Sequence, residues 1–187
     1  MKYLPLAILL LFPLSAAAQD SEGLEAWDRI YQVTAHPRCA NCHVGPDNIP
    51  VWSGPSLGAP RPHGMNITAG DSRIGAETLP CAACHVSSTQ PNDTPHAPPH
   101  IDGFWQLAPV EFEWFGKSTK EVCNQLRDPD RNGGRSFVEL ADHLKHDAFV
   151  AWGFNPGGKR QPAPFTLRDH VNDVLAWGVA GQPCPGD

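Results

Sequence analysis

The sequence carries one five-residue pattern twice, as Cys39-Ala40-Asn41-Cys42-His43 and Cys81-Ala82-Ala83-Cys84-His85. No other feature constrains the fold as strongly. Two thiols three residues apart, followed at once by an imidazole, form the c-type haem attachment signal. On one helical turn the thiols reach the two vinyl groups at one porphyrin edge, and the next imidazole lies beneath the iron. The pattern therefore assigns Cys39, Cys42, Cys81 and Cys84 as thioether anchors and His43 and His85 as proximal ligands. A zinc site could use the same pairs, but zinc does not require His directly after each second cysteine. A thioredoxin-like redox pair wants a βαβ context that the sequence lacks. Structural disulfides are the remaining alternative. The expectation is two covalent c-type haems.

Compartment follows from the first residues. Lys2, the apolar run from Leu4 to Leu14 and the small residues Ser15-Ala16-Ala17-Ala18 read as a signal peptide over 1–18. That leaves 19–187 as a single exported domain, expected in the periplasm, with no other stretch that reads as a membrane span. Fourteen Lys+Arg stand against 20 Asp+Glu, for a net charge of −6, which excludes the basic stripe of a nucleic-acid binder. Twenty Pro and 17 Gly in 187 residues impose a loop-rich chain.

Within the domain, a haem-attachment part spans about 19–116 and a helical part about 117–187. Leu24, Trp27, Ile30 and Tyr31 recur at helical spacing over 21–33, and Pro37 ends that helix. Stretches 44–74 and 87–116 read as loops, too long for a compact domain unless they wrap a cofactor. Ser118 with Glu121, and Ser136 with Glu139, form capping boxes that each open an amphipathic helix. Thr166 opens another, with Leu167, Val171, Val174, Leu175 and Trp177 as its apolar side. Cys123 and Cys184 have no adjacent His and are expected to pair as a disulfide tying the carboxyl-terminal tail to a helix. The expected fold is mainly α and loop-rich, a small dihaem c-type cytochrome with its chain wrapped around two covalent haems.

The ligand opposite each proximal His decides between carrier and catalyst. Met65 is the only Met left after the leader, so at least one iron is bis-His or open. His36 stands too close to Cys39 to loop over its own porphyrin, so as a ligand it serves the second haem. His63 sits midway between the motifs, reaches either haem, and is assigned to the first. His143 is the runner-up, sharing a predicted helix with His146; His96, His100 and His170 are weaker candidates. Separately, Asp128-Pro129-Asp130-Arg131-Asn132-Gly133 with Glu139 at the twelfth position matches a calcium-binding EF-hand loop. Against calcium, Arg135 occupies an ordinarily apolar position and no second loop exists. The competing reading is a helix–turn–helix connection capped by Ser136.

The stretch from Thr34 to Val86, with a His before the first motif and another between the two, resembles the small dihaem subunit of periplasmic nitrate reductase. That resemblance implies bis-His ligation of both haems, through His36 and His63. A resemblance over nearly the whole mature chain rests on several stretches: His36-Pro37-Arg38-Cys39, His63-Gly64, Asn132-Gly133-Gly134-Arg135, Trp152-Gly153-Phe154-Asn155-Pro156-Gly157 and Cys184-Pro185. It is similar to small exported proteins labelled isoquinoline 1-oxidoreductase subunits. This implies a cytochrome that takes electrons from a molybdenum hydroxylase; another cytochrome is the alternative redox partner. The expected function is outer-sphere electron transfer by a carrier rather than a catalyst, with an acidic surface docking on a basic patch of its partner. The alternative is a haem enzyme or gas sensor with one open iron site.

Overall fold

The computed structural model describes residues 14–85 and 99–187. Most of the expected leader, and His96, lie outside those residues. Six α-helices and one two-stranded sheet follow in order: α1 (Leu14–Thr34), α2 (Pro37–Ala40), β1 (Val51–Gly54), β2 (Gly58–Pro62), α3 (Thr119–Arg127), α4 (Phe137–His146), α5 (Ala148–Phe154) and α6 (Leu167–Val179). Short 3-10 turns punctuate the loops between them. No helix among the described residues is long and apolar enough to cross a membrane.

The core is built where apolar residues recur at helical spacing. On α1, Ala26, Trp27, Ile30 and Val33 are buried; on α6, Val171, Val174 and Trp177 are. α6 packs against α1 on one side and α4 on the other. Trp27 and Trp177 meet at the centre, with ring centroids 5.3 Å apart. Neither indole N–H is wasted there: Trp27 donates to Thr119 Oγ1 (2.7 Å) and Trp177 to Pro183 O (2.9 Å), as buried indoles require.

Helix starts agree with the expected caps. Ser118 and Ser136 each accept the backbone N–H of the Glu three residues on, while that Glu's carboxylate accepts from the serine. Thr166 caps α6 through the Asp169 amide. Cys123 on α3 and Cys184 in the tail form a buried disulfide, so the tail is tied to a helix as expected.

Two elements depart from the expectation. α5 is a separate helix, capped by Asp147, whose carboxylate accepts from the Phe149 and Val150 amides (2.8 and 3.0 Å). The stretch expected as loop after the first motif contains the antiparallel pair β1–β2, registered Val51↔Pro62, Trp52↔Arg61 and Gly54↔Gly58. Gly54 (φ 135°) and Gly58 (φ 74°) turn this hairpin through backbone that side chains disfavour. Its position matters, because β2 leads directly to His63.

Candidate functional site

The first motif begins on α2. Pro37 occupies the first turn and His36 caps it, its Nδ1 accepting the Arg38 N–H at 3.2 Å. The amides of Cys42 and His43 then both donate to Cys39 O, at 3.1 and 3.2 Å. In the second motif, on a 3-10 turn at Cys81–Ala83, the amides of Cys84 and His85 both donate to Cys81 O, at 3.2 and 3.0 Å. The same sequence pattern thus adopts the same single turn twice.

Each motif histidine is also clamped alike, by a backbone carbonyl and a tryptophan. His43 Nδ1 lies 3.0 Å from Phe112 O, and its ring stacks on Trp114 at 3.5 Å with the planes 3° apart. His85 Nδ1 lies 3.1 Å from Pro99 O, and its ring packs on Trp105 at 4.2 Å, tilted by 31°. A carbonyl beside Nδ1 favours the tautomer with the proton on that nitrogen, which leaves the Nε2 lone pair as the donor. Burial pushes the His43 pKa down to about 4, against the opposing hydrogen bond to Phe112, and lowers that of His85 as well. Both rings are therefore neutral near pH 7, the form that binds a metal.

One cavity of about 970 Å³ takes in both motifs. That is the upper end of the range for pockets that enclose drug-sized ligands, about 300–1,000 Å³. Its walls are apolar: Ile30, Val33, Leu140 and Val174 on the helical side, Leu79, Phe104 and Leu107 on the loop side. The motifs meet inside it. Burial, with Cys42 adding to it, pushes the Cys39 thiol up to about 12. Burial pushes Cys42 up to about 11, and neighbouring Cys81 adds to that shift. The four motif cysteines are unpaired thiols. Among the described residues no three His, Cys, Asp or Glu side chains converge as a metal-ion site. The pairs do not gather into one tetrahedral thiolate centre of the kind structural zinc needs. Thiols spaced by one turn, Nε2 donors and apolar walls fit a porphyrin held covalently at each motif.

The distal candidates separate clearly. His63 stands at the second motif, with its ring centroid 6.1 Å from that of His85, rather than at the first, where its place in the sequence puts it. Its Nδ1 lies 2.9 Å from Gly64 O, and Trp52 packs edge-on at 5.7 Å. His143, on α4, lines the cavity on the other side and is close enough to act electrostatically on His43. His36, expected opposite the second motif, lies outside the cavity lining as the cap of α2, because Pro37 sets the backbone there and its ring turns back to the Arg38 amide. His100 also lies outside the lining. His146 lines it with Nδ1 2.9 Å from Asp142 O of its own helix. His170 lines it too and is almost wholly buried. Met65 is exposed at the cavity rim.

The calcium pattern builds a turn between α3 and α4. Asp128 Oδ1 accepts the Asp130 amide (3.0 Å), and buried Asn132 binds Leu126 O, Arg135 O and the Arg135 amide. The Glu139 carboxylate is engaged by the Ser136 amide and hydroxyl (2.8 and 2.7 Å). These oxygens close a helix–turn–helix connection.

The residues that sequence reasoning missed are the clamps: Phe112 and Pro99 through their carbonyls, Trp114 and Trp105 through their rings. The available signal was two tryptophans in a loop with no apolar periodicity to explain them. Compared with known proteins, the chain matches no family model, no characterised protein and no solved structure.

Proposed function

We propose that this chain is a periplasmic electron-transfer protein that holds two c-type haems side by side in the one cavity. The observation that carries the reading is the duplicated clamp: twice over, a Cys-x-x-Cys-His turn, a carbonyl on Nδ1 and a tryptophan against the ring. When bound, each haem supplies a one-electron ferric–ferrous couple. Cys39 with Cys42, and Cys81 with Cys84, would anchor the porphyrins. His43 and His85 would supply Nε2, each ring held in orientation by its carbonyl and its tryptophan. His63 supports a second imidazole on the His85 side, since its own Nδ1 faces a carbonyl and its ring lies across from that of His85. His143 is the best placed for the His43 side. His36, occupied as a cap, is the weaker choice for either.

Apolar side chains from both halves of the chain line the cavity, and with His63 and His143 as the second ligands neither haem would offer a small molecule an open position. This is the demand on a carrier and the opposite of the demand on a catalyst. The resemblance over nearly the whole chain suggests a molybdenum-hydroxylase-type oxidoreductase as partner, with another cytochrome as the alternative. The net charge of −6 suits a basic docking face on it.

Covalent haem content and carbon monoxide binding test the reading together. Protein matured in a strain that attaches c-type haem should carry two haems per chain and, once reduced, bind no carbon monoxide. His63→Ala should then open about one equivalent of binding. A chain without covalent haem refutes the reading. Binding of one equivalent by the unaltered protein would instead favour the enzyme or sensor with an open iron.

A further inference from the structure

The two residues between the cysteines of each motif are spacers for the haem chemistry, and in the second motif they are Ala82 and Ala83. The first motif carries Asn41 there, and the hairpin engages its side chain. Ser53 Oγ donates to Asn41 Oδ1 (2.5 Å), and Asn41 Nδ2 donates to Ser53 O in a longer bond (3.4 Å). The backbone joins in, since the Val51 amide donates to Asn41 O (2.9 Å). A residue inside the first motif is therefore tied to β1 by both its side chain and its carbonyl. Ser53 is what makes the side-chain tie possible. It is the buried member of β1, 8 % exposed, while no residue of β2 is buried. The pairing with β2 slips between Trp52 and Gly54, so Ser53 is passed over at a bulge. A bulge re-aims a side chain, and this one turns a hydroxyl toward the motif. A lone two-stranded hairpin is marginal by itself, so its place depends on such ties.

The far end of the hairpin carries His63. Its amide donates to Pro50 O (2.8 Å), immediately before β1, and Trp52 packs edge-on against its ring at 5.7 Å. That ring reaches the second motif, its centroid 6.1 Å from that of His85. Asn41, Val51, Trp52 and His63 all line the cavity. A continuous run of contacts thus leads from inside the first motif, through β1, to the imidazole beside the second.

Resting on the dihaem reading above, with His63 as the second ligand on the His85 side, we propose that Asn41 and Ser53 are positioning residues for His63. A side chain within the first motif thereby holds the axial ligand of the other haem. Groups that orient a ligand from behind are commonly as necessary as the ligand itself.

Carbon monoxide binding by the matured, reduced protein, followed by its optical spectrum, tests this. His63→Ala marks the site by opening about one equivalent. Asn41→Ala and Ser53→Ala should each admit the gas to that same haem, filling part of an equivalent at a concentration that saturates His63→Ala. Loss of one hydrogen bond corresponds to an open fraction about two- to tenfold larger. Ser53→Thr keeps the hydroxyl and should behave as the unaltered protein. The decisive protein combines Asn41→Ala with His63→Ala. It should bind one equivalent, with the spectrum of His63→Ala, because both changes act on one iron. Two equivalents would show that Asn41 serves the haem of its own motif, and would overturn the proposal. So would Asn41→Ala and Ser53→Ala proteins as closed as the unaltered one, or a Ser53→Thr protein as open as Ser53→Ala. Two other results strike the reading underneath. Absence of covalent haem from the unaltered protein defeats the dihaem assignment, and a haem-loaded His63→Ala protein that opens no site defeats His63 as a ligand and the proposal with it.

Discussion

His170 is 3 % exposed, and its Nδ1 is buried without a hydrogen-bond partner. Burial pushes its pKa down to about 4. The unfolded chain therefore binds a proton at this residue that the folded chain refuses between about pH 6.5 and 4, and stability falls as pH falls through that window. The loss amounts to on the order of 3 kcal/mol when the window has been crossed. His170→Leu should remove this part of the acid sensitivity, so urea midpoints of the two proteins should converge or cross as pH drops from 7 to 4. Parallel profiles would sink the assignment. Residue-scale chemistry was only partly legible beforehand. The motif cysteines and histidines could be named because adjacent residues share a turn. The expectation attaches His63 to the first motif and the fold places it beside the second, because a residue midway along a loop is equally free to reach either. Only the β1–β2 pairing, which delivers it beside His85, breaks that tie.

At the scale of elements, α6 meets α4 closely at Gly178. A Cβ built on Gly178 would overlap the ring of Phe137. Gly178→Ala should therefore destabilise the protein by about 1–3 kcal/mol, the usual cost of overpacking, and Phe137→Ala in the same chain should recover part of the loss. Chemical denaturation of the two single variants and the double variant measures this coupling; simple additivity would show that the helices do not touch there. Helices were the readable part of the fold. Ser118 with Glu121, Ser136 with Glu139, and Thr166 mark their starts, and the stripe through Val171, Val174 and Trp177 marks a buried face. The hairpin was not readable, because β2 carries Pro60 and Pro62 and none of its residues is buried, so it shows no alternating pattern. Nor was α5, only seven residues long and separated from α4 by Asp147 alone.

Across the whole molecule, the Cys123–Cys184 disulfide closes a loop over a sequence separation of 61. Replacing both with Ser should cost roughly 2–4 kcal/mol, and adding reductant to the unaltered protein should bring it to the same denaturation midpoint. A variant as stable as its parent would show that the tail is held by its other contacts alone. The cavity has a further consequence, which concerns the order of events. Its walls come from α1, α4, α6 and two loops, so it exists only once distant parts of the chain have met. Inside it, thiols pushed up to about 12 at Cys39 and about 11 at Cys42 are almost entirely protonated at pH 7, and the thiolate is the reactive form. On the dihaem reading, bonds to Cys39 and Cys42 would therefore form more readily while the chain is still open. The cofactor would then be an early participant in folding, around which α1, α4 and α6 close, rather than cargo loaded into a finished shell.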